Sequence, residues 1–134
     1  MNSTTYDEFL AEKINFRYDF GHPCEDADIH PLLKPHQRAI VRWAVRGGRR
    51  AIFAAFGLGK TMMQLETLRL TLKHTGGSGL IVCPLGVRQE FRLDAEKLGI
   101  ETRFVRRTHE VDTPGIYITN YESIRDGRLD PTLF

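Results

Sequence analysis

Gly57-Leu58-Gly59-Lys60-Thr61 places two glycines, a cation and a hydroxyl directly after the apolar run Ala51-Ile52-Phe53-Ala54-Ala55-Phe56. That combination suits a polyphosphate. Glycines let the backbone turn so that successive N–H groups converge on anionic oxygens. Lys60 adds a mobile positive charge, and Thr61 a hydroxyl able to ligate the magnesium ion of a nucleoside triphosphate. A helix beginning there would aim the positive end of its dipole at the same anion. The expected nucleotide-binding segment is therefore Phe56, Gly57, Leu58, Gly59, Lys60, Thr61 and Met62, with Lys60 also the catalytic cation and Thr61 the metal ligand. A glycine turn that merely precedes a lysine would not need an apolar strand before it and a helix-forming run after it.

Such a loop must be held by flanking elements. The run Ala51 to Phe56 reads as a buried strand. Met62, Leu65, Leu68 and Leu72 predict a mostly buried helix that stops at Gly76-Gly77. Upstream, a helix from Pro35 to Arg46 has Ala39, Ile40, Trp43 and Ala44 as its core face, proline in its first turn and Gly47-Gly48 as its stop. Downstream, Gly79 to Pro84 is a strand without polar alternation, which predicts cover on both faces. Val87, Phe91, Ala95 and Leu98 share a helix face ending at Gly99, and Thr102 to Val105 and Ile116 to Thr119 are further strands. Strands alternating with helices predict an α/β fold with a parallel sheet and right-handed crossovers. Ahead of this body, Tyr6, Phe9, Leu10 and Ile14 have the spacing of a short amphipathic arm. Gly21, Pro23, Glu25, Asp26 and Asp28 then mark a loop, so residues 1–30 read as arm and loop and 31–134 as the main body.

A chain of 134 residues has room for one domain. Its 41% hydrophobic and 27% charged residues are ordinary for a globular protein, which argues against disorder or a fibrous repeat. A net charge of +2 is too small to identify a nucleic-acid binder. Arginine clusters at 38, 42, 46, 49 and 50, and again at 106 and 107. The first three recur at i, i+4 on one helix face, a solvated stripe by the plainer reading and a phosphate-contacting stripe by the sharper one. Met1 to Glu8 lacks a basic segment followed by an apolar core, and no window reaches membrane-spanning length, so a cytosolic protein with no membrane partner is expected. Cys83, within Leu80-Ile81-Val82-Cys83, reads as a buried free thiol, and a disulfide with Cys24 is not expected. His22, Cys24 and His30 lack the spacing of a zinc site.

Three further features lie at positions that could reach a nucleotide or its neighbours. The Gln37 amide carries the donor and acceptor needed to match an adenine edge. Pro84-Leu85-Gly86-Val87-Arg88 follows a strand at the carboxyl edge of the sheet, where open α/β sheets bind ligands. Asn120, ending another strand, can cap the helix after it.

With these residues in order, the chain resembles the first motor lobe of superfamily-two (DEAD/DEAH-box) helicases, in particular Swi/Snf-like ATPases and helicases of phages and prophages, from Phe9 to the last residue. Leu33-Lys34-Pro35-His36-Gln37 is similar to the Q motif, implying that Gln37 reads adenine. Phe53 to Thr61 resembles motif I, the Walker A loop, in the form Ala-x-x-Gly-x-Gly-Lys-Thr, with Ala54 where a strict P-loop has glycine. Ile81 to Arg88 resembles motif Ia and Thr119 to Glu122 motif Ib. The resemblance implies a RecA-like P-loop NTPase fold of three layers around a parallel sheet, with ATP and Mg2+ as cofactors. Pro84, Leu85, Gly86, Arg88, Asn120 and Tyr121 would touch a DNA or RNA backbone, in the cytoplasm of a bacterial host or phage-infected cell.

Two departures qualify that reading. Ala55 stands where many relatives are acidic. The family also needs an Asp-Glu box for magnesium and the attacking water, and arginines from a second lobe; Glu122, Asp126 and Asp130 form no such pair. The sequence thus reads as the front part of a longer motor, an incomplete first lobe that binds ATP without useful turnover. Its partners would be the remainder of that motor or, through unpaired edges of the strands Ala51–Phe56 and Gly79–Cys83, a second copy. A stand-alone nucleotide-binding module without turnover is the alternative outside the enzymes. A small P-loop kinase is another, although it would need a lid of arginines and an acceptor-binding aspartate.

Overall fold

The computed structural model describes residue 5 and residues 20–134, so the arm expected over residues 6–14 lies outside the described residues. In chain order the elements are helices α1 (Pro35–Gly47) and α2 (Lys60–Thr75), strand β1 (Gly79–Cys83), helix α3 (Arg88–Leu98), strands β2 (Thr102–Phe104) and β3 (Ile116–Asn120), and helix α4 (Tyr121–Arg125). The architecture is mixed α/β with a parallel sheet ordered β1-β3-β2. Ile81 lies opposite Ile118 on one side of β3, and Phe104 opposite the same residue on the other.

β3 is buried along its whole length because it alone is paired on both sides. Ile81, Cys83, Ile116 and Ile118 form one core with Val41 and Val45 of α1, Met63, Leu65 and Leu70 of α2, and Phe91, Ala95 and Leu98 of α3. On the opposite face Tyr117 packs with Val105 and Leu129 and meets the Phe134 ring edge-on at 5.6 Å. The α3 face and its stop at Gly99 agree with the sequence, as do both ends of α2 and the buried, free thiol of Cys83. No described helix is long and apolar enough to cross a membrane.

Three expectations are corrected. Residues 51–55 form no strand, and Phe53 is 97% exposed. Without a partner strand to pair its backbone, a segment is not buried by apolar composition alone. The second face of β1 is covered only in part: Leu80 is half-buried against the Tyr117 cluster, but Val82 is 38% exposed. In α1 the buried residues are Gln37, Val41, Ala44, Val45 and Gly47; Ala39 is exposed, Ile40 half-buried, and Trp43 is 44% exposed beneath the Arg50 guanidinium, 5.0 Å from its ring centroid. The arginine stripe on α1 is partly exposed, in keeping with the plainer reading, and is paired with acids: Arg38 and Arg42 with Asp26 at 3.4 and 3.7 Å, and Arg46 with Glu25 at 2.8 Å.

Those pairs fasten the loop before α1 onto the helix. Gly21 and His22 donate their backbone N–H groups to the carbonyls of Arg46 and Val45, and Cys24 and Ile29 join the main core. Glu66 on α2 completes the attachment. Its carboxylate is fully buried, pairs with Arg69 and accepts the His30 N–H at 3.2 Å. A buried carboxylate needs such partners, since an uncompensated one is strongly destabilising.

Candidate functional site

The residues singled out for phosphate chemistry follow segment 51–55 and run into the first turn of α2. Gly57 has φ 81° and Gly59 φ 75°, ψ 43°, left-handed conformations in which a Cβ is unfavourable. Gly59 is the residue before α2, and Met63 donates its N–H to the Gly59 carbonyl at 3.2 Å. The N–H groups of Lys60, Thr61 and Met62 precede the first possible bond within the helix and so have no carbonyl there to accept them. Three donors, the helix dipole and the Lys60 ammonium are gathered at one turn. That set can hold an anion, with phosphate as the natural guest.

Lys60 folds back so that its Nζ donates to the Ala54 carbonyl at 3.1 Å. The bond closes the turn on itself with an interaction that an incoming phosphate oxygen could replace. Thr61 is half-buried at the start of α2, whereas Phe56 is fully exposed. The turn thus supplies donors and one hydroxyl. Among the described residues no group of three His, Cys, Asp or Glu side chains is placed to hold a metal.

Gln37 is 6% exposed and reaches the turn from α1. Its Oε1 accepts the Lys34 N–H at 2.9 Å, capping α1, while its Nε2 donates to the Leu58 carbonyl at 3.2 Å. His36 also donates to Leu58, from Nε2 at 3.3 Å. Sequence reasoning assigned Gln37 to an adenine edge and gave His36 no role. The only sequence signal for the second was its place beside Gln37.

The residues expected to touch nucleic acid divide into two groups. Pro84, Leu85, Gly86 and Arg88 are exposed after β1. Arg88 lies over the Phe104 ring with its guanidinium carbon 3.9 Å from the centroid, and Arg106 lies 5.5 Å from the same ring. Tyr121 is exposed, but Asn120 is buried, with its Oδ1 accepting the Ser123 N–H at 3.3 Å and the Ser123 hydroxyl at 2.6 Å. Asn120 is the cap that the sequence suggested, with its Oδ1 engaged by Ser123. Further along the carboxyl edge, Arg107, Thr108, His109 and Arg128 line an open depression of about 550 Å3. Asp126 takes hydrogen bonds from Arg125 and Arg128, and the Arg125 bond above all holds its carboxyl below the usual aspartate range. Among the described residues Arg88, Arg106 and Arg107 form no ion pair.

A separate cavity of about 210 Å3, where His22 stacks on His74 at 4.2 Å, lies towards the far end of α2 and contains none of these residues. No protein-family model, curated protein or solved structure matches the chain.

Proposed function

We propose that the turn from Phe56 to Met62 binds the polyphosphate of a magnesium–adenine nucleotide, and that the chain is the ATP-binding part of a helicase or translocase of RecA-like, P-loop type. One observation carries the reading: left-handed Gly57 and Gly59 lead directly into the N-terminus of α2, with the Lys60 ammonium drawn across the turn to Ala54. The helix supplies donors, Lys60 meets the β- and γ-phosphates, and Thr61 offers its hydroxyl to magnesium.

The same chain is proposed to bind without useful turnover. Glu66, the acidic residue within α2, is buried against Arg69 and His30 and is not free to orient a water. At the carboxyl edge, Arg88, Arg106 and Arg107 would meet the backbone of a DNA or RNA strand, with Tyr121 beside it. Few phosphates would be neutralised, so the affinity is expected to be weak. Its salt dependence would have a shallow log-log slope of roughly 0.7 to 0.9 for each phosphate contact. The exposed segment 51–56 and the free edge of β1 are where further strands of a parent motor, or a second copy, would add.

Calorimetric titration with MgATP tests the reading. Wild-type protein should bind with release of heat and hydrolyse little nucleotide, and Lys60→Ala should lose at least tenfold in affinity, the scale of one charge-assisted contact. No binding by the wild type would overturn the nucleotide assignment, and robust hydrolysis lost in Lys60→Ala would overturn the claim of binding alone.

A further inference from the structure

Two donors from one turn of α1 converge on a single carbonyl in the phosphate turn. His36 Nε2 and Gln37 Nε2 approach the Leu58 oxygen at 3.3 and 3.2 Å. A carbonyl only accepts, so the imidazole must carry its hydrogen on Nε2. The Gln37 amide is oriented independently, because its Oε1 takes the Lys34 N–H at 2.9 Å and so directs Nε2 towards Leu58. Gln37 also presses against the next residue: a Cβ built on Gly59 would lie 2.2 Å from Gln37 Nε2.

The peptide joining Leu58 to Gly59 is planar and trans, so its C=O and N–H point in opposite directions. Fixing the Leu58 carbonyl towards α1 therefore turns the Gly59 N–H away from α1, to the other side of the turn. We propose that His36 and Gln37 are positioning residues that brace this peptide and present the Gly59 N–H to phosphate, so that their contribution to binding does not depend on the base. The inference rests on the polyphosphate reading above and adds to it a role for two side chains. It departs from the adenine-reading role that the resemblance implies for Gln37. The donor and acceptor of that amide which meet Lys34 and Leu58 are already engaged before any nucleotide arrives.

The test compares magnesium complexes of ATP, GTP and tripolyphosphate by calorimetry on the full chain. Gln37→Glu keeps the oxygen that caps α1 and replaces the donor facing Leu58 by a second acceptor. It should weaken all three ligands by a similar factor, roughly tenfold. His36→Leu should weaken all three by about threefold, and His36→Gln, which restores an N–H donor, should recover most of that loss. His36 is exposed, so its variants report even if Gln37→Glu impairs folding. Loss confined to ATP would overturn the brace in favour of base reading. Unchanged affinities for all three ligands in both the Gln37 and His36 variants would overturn it outright. If wild-type protein binds none of the three ligands, the polyphosphate reading fails and the brace with it; binding by wild type with unaffected variants removes the brace alone.

Discussion

The segment 51–56 and strand β1 are both short apolar runs, yet Ile81 and Cys83 of β1 are buried in the core while Phe53 and Phe56 are 97% and 100% exposed. The difference lies in their neighbours. β1 is hydrogen-bonded to β3 along its length and has helices against one face, whereas residues 51–55 have no strand beside them among the described residues, and only Ala54 of them packs on the core. A strand's side chains set what it can bury, but a paired backbone and a covering layer decide whether it does. The open segment leads straight into the glycine turn. The part of the chain proposed to bind ligand is thus more exposed than the sheet behind it.

Substitutions should separate the two regions most clearly in stability. Ile118→Ala, at the centre of the paired sheet, should cost about 2 to 5 kcal/mol in urea unfolding. Phe53→Ala should change stability by no more than about 0.5 kcal/mol. Equal losses would show that residues 51–56 are packed in solution, and the contrast would collapse.

A smaller effect is expected where the sheet passes into α4. Asn120→Ala removes the side-chain acceptor for the Ser123 N–H and should cost about 1 kcal/mol, with Asn120→Asp retaining most of the cap. An Asn120→Ala protein as stable as wild type would show that the cap carries no weight. In the same titrations Asn120→Asp should leave MgATP affinity unchanged.

The thiols provide the smallest test. Burial raises the pKa of Cys24, with Asp28 contributing, and burial also raises that of Cys83. Both should remain protonated at neutral pH and react with iodoacetamide far more slowly in the folded chain than in urea. A raised folded-state pKa stabilises the protein fully below the unfolded thiol value, about 8.5, and that contribution is lost as pH rises through the folded values. Stability should therefore decline above about pH 9. Rapid alkylation of Cys83 at pH 7 would mean that the sheet opens readily.

Much of the paired region was legible in the sequence because its signals are local. Phe91, Ala95 and Leu98 recur at helical spacing before Gly99, and Asn120 stands three residues before the N–H it caps. The orientation of α1 was not, since Ala39, Ile40, Val41, Trp43, Ala44 and Val45 surround the helix with more apolar surface than one face can bury. Tertiary packing selects Val41, Ala44 and Val45 and leaves Trp43 to stack with Arg50. Likewise the acidic loop and the arginine stripe were both visible, but their pairing depends on the path by which residues 20–30 cross α1. At the candidate site, the glycines and Lys60 follow a local pattern, whereas the meeting of His36, Gln37 and Leu58 joins residues more than 20 positions apart.

Amide hydrogen exchange with and without MgATP tests the central claim most directly, because it reads both regions in one experiment. The account predicts that nucleotide slows exchange of the Gly57 to Met62 amides, leaves β3 at its already high protection, and has no effect in Lys60→Ala. Unchanged exchange across Gly57 to Met62 at saturating nucleotide, or protection appearing elsewhere and surviving Lys60→Ala, would contradict it.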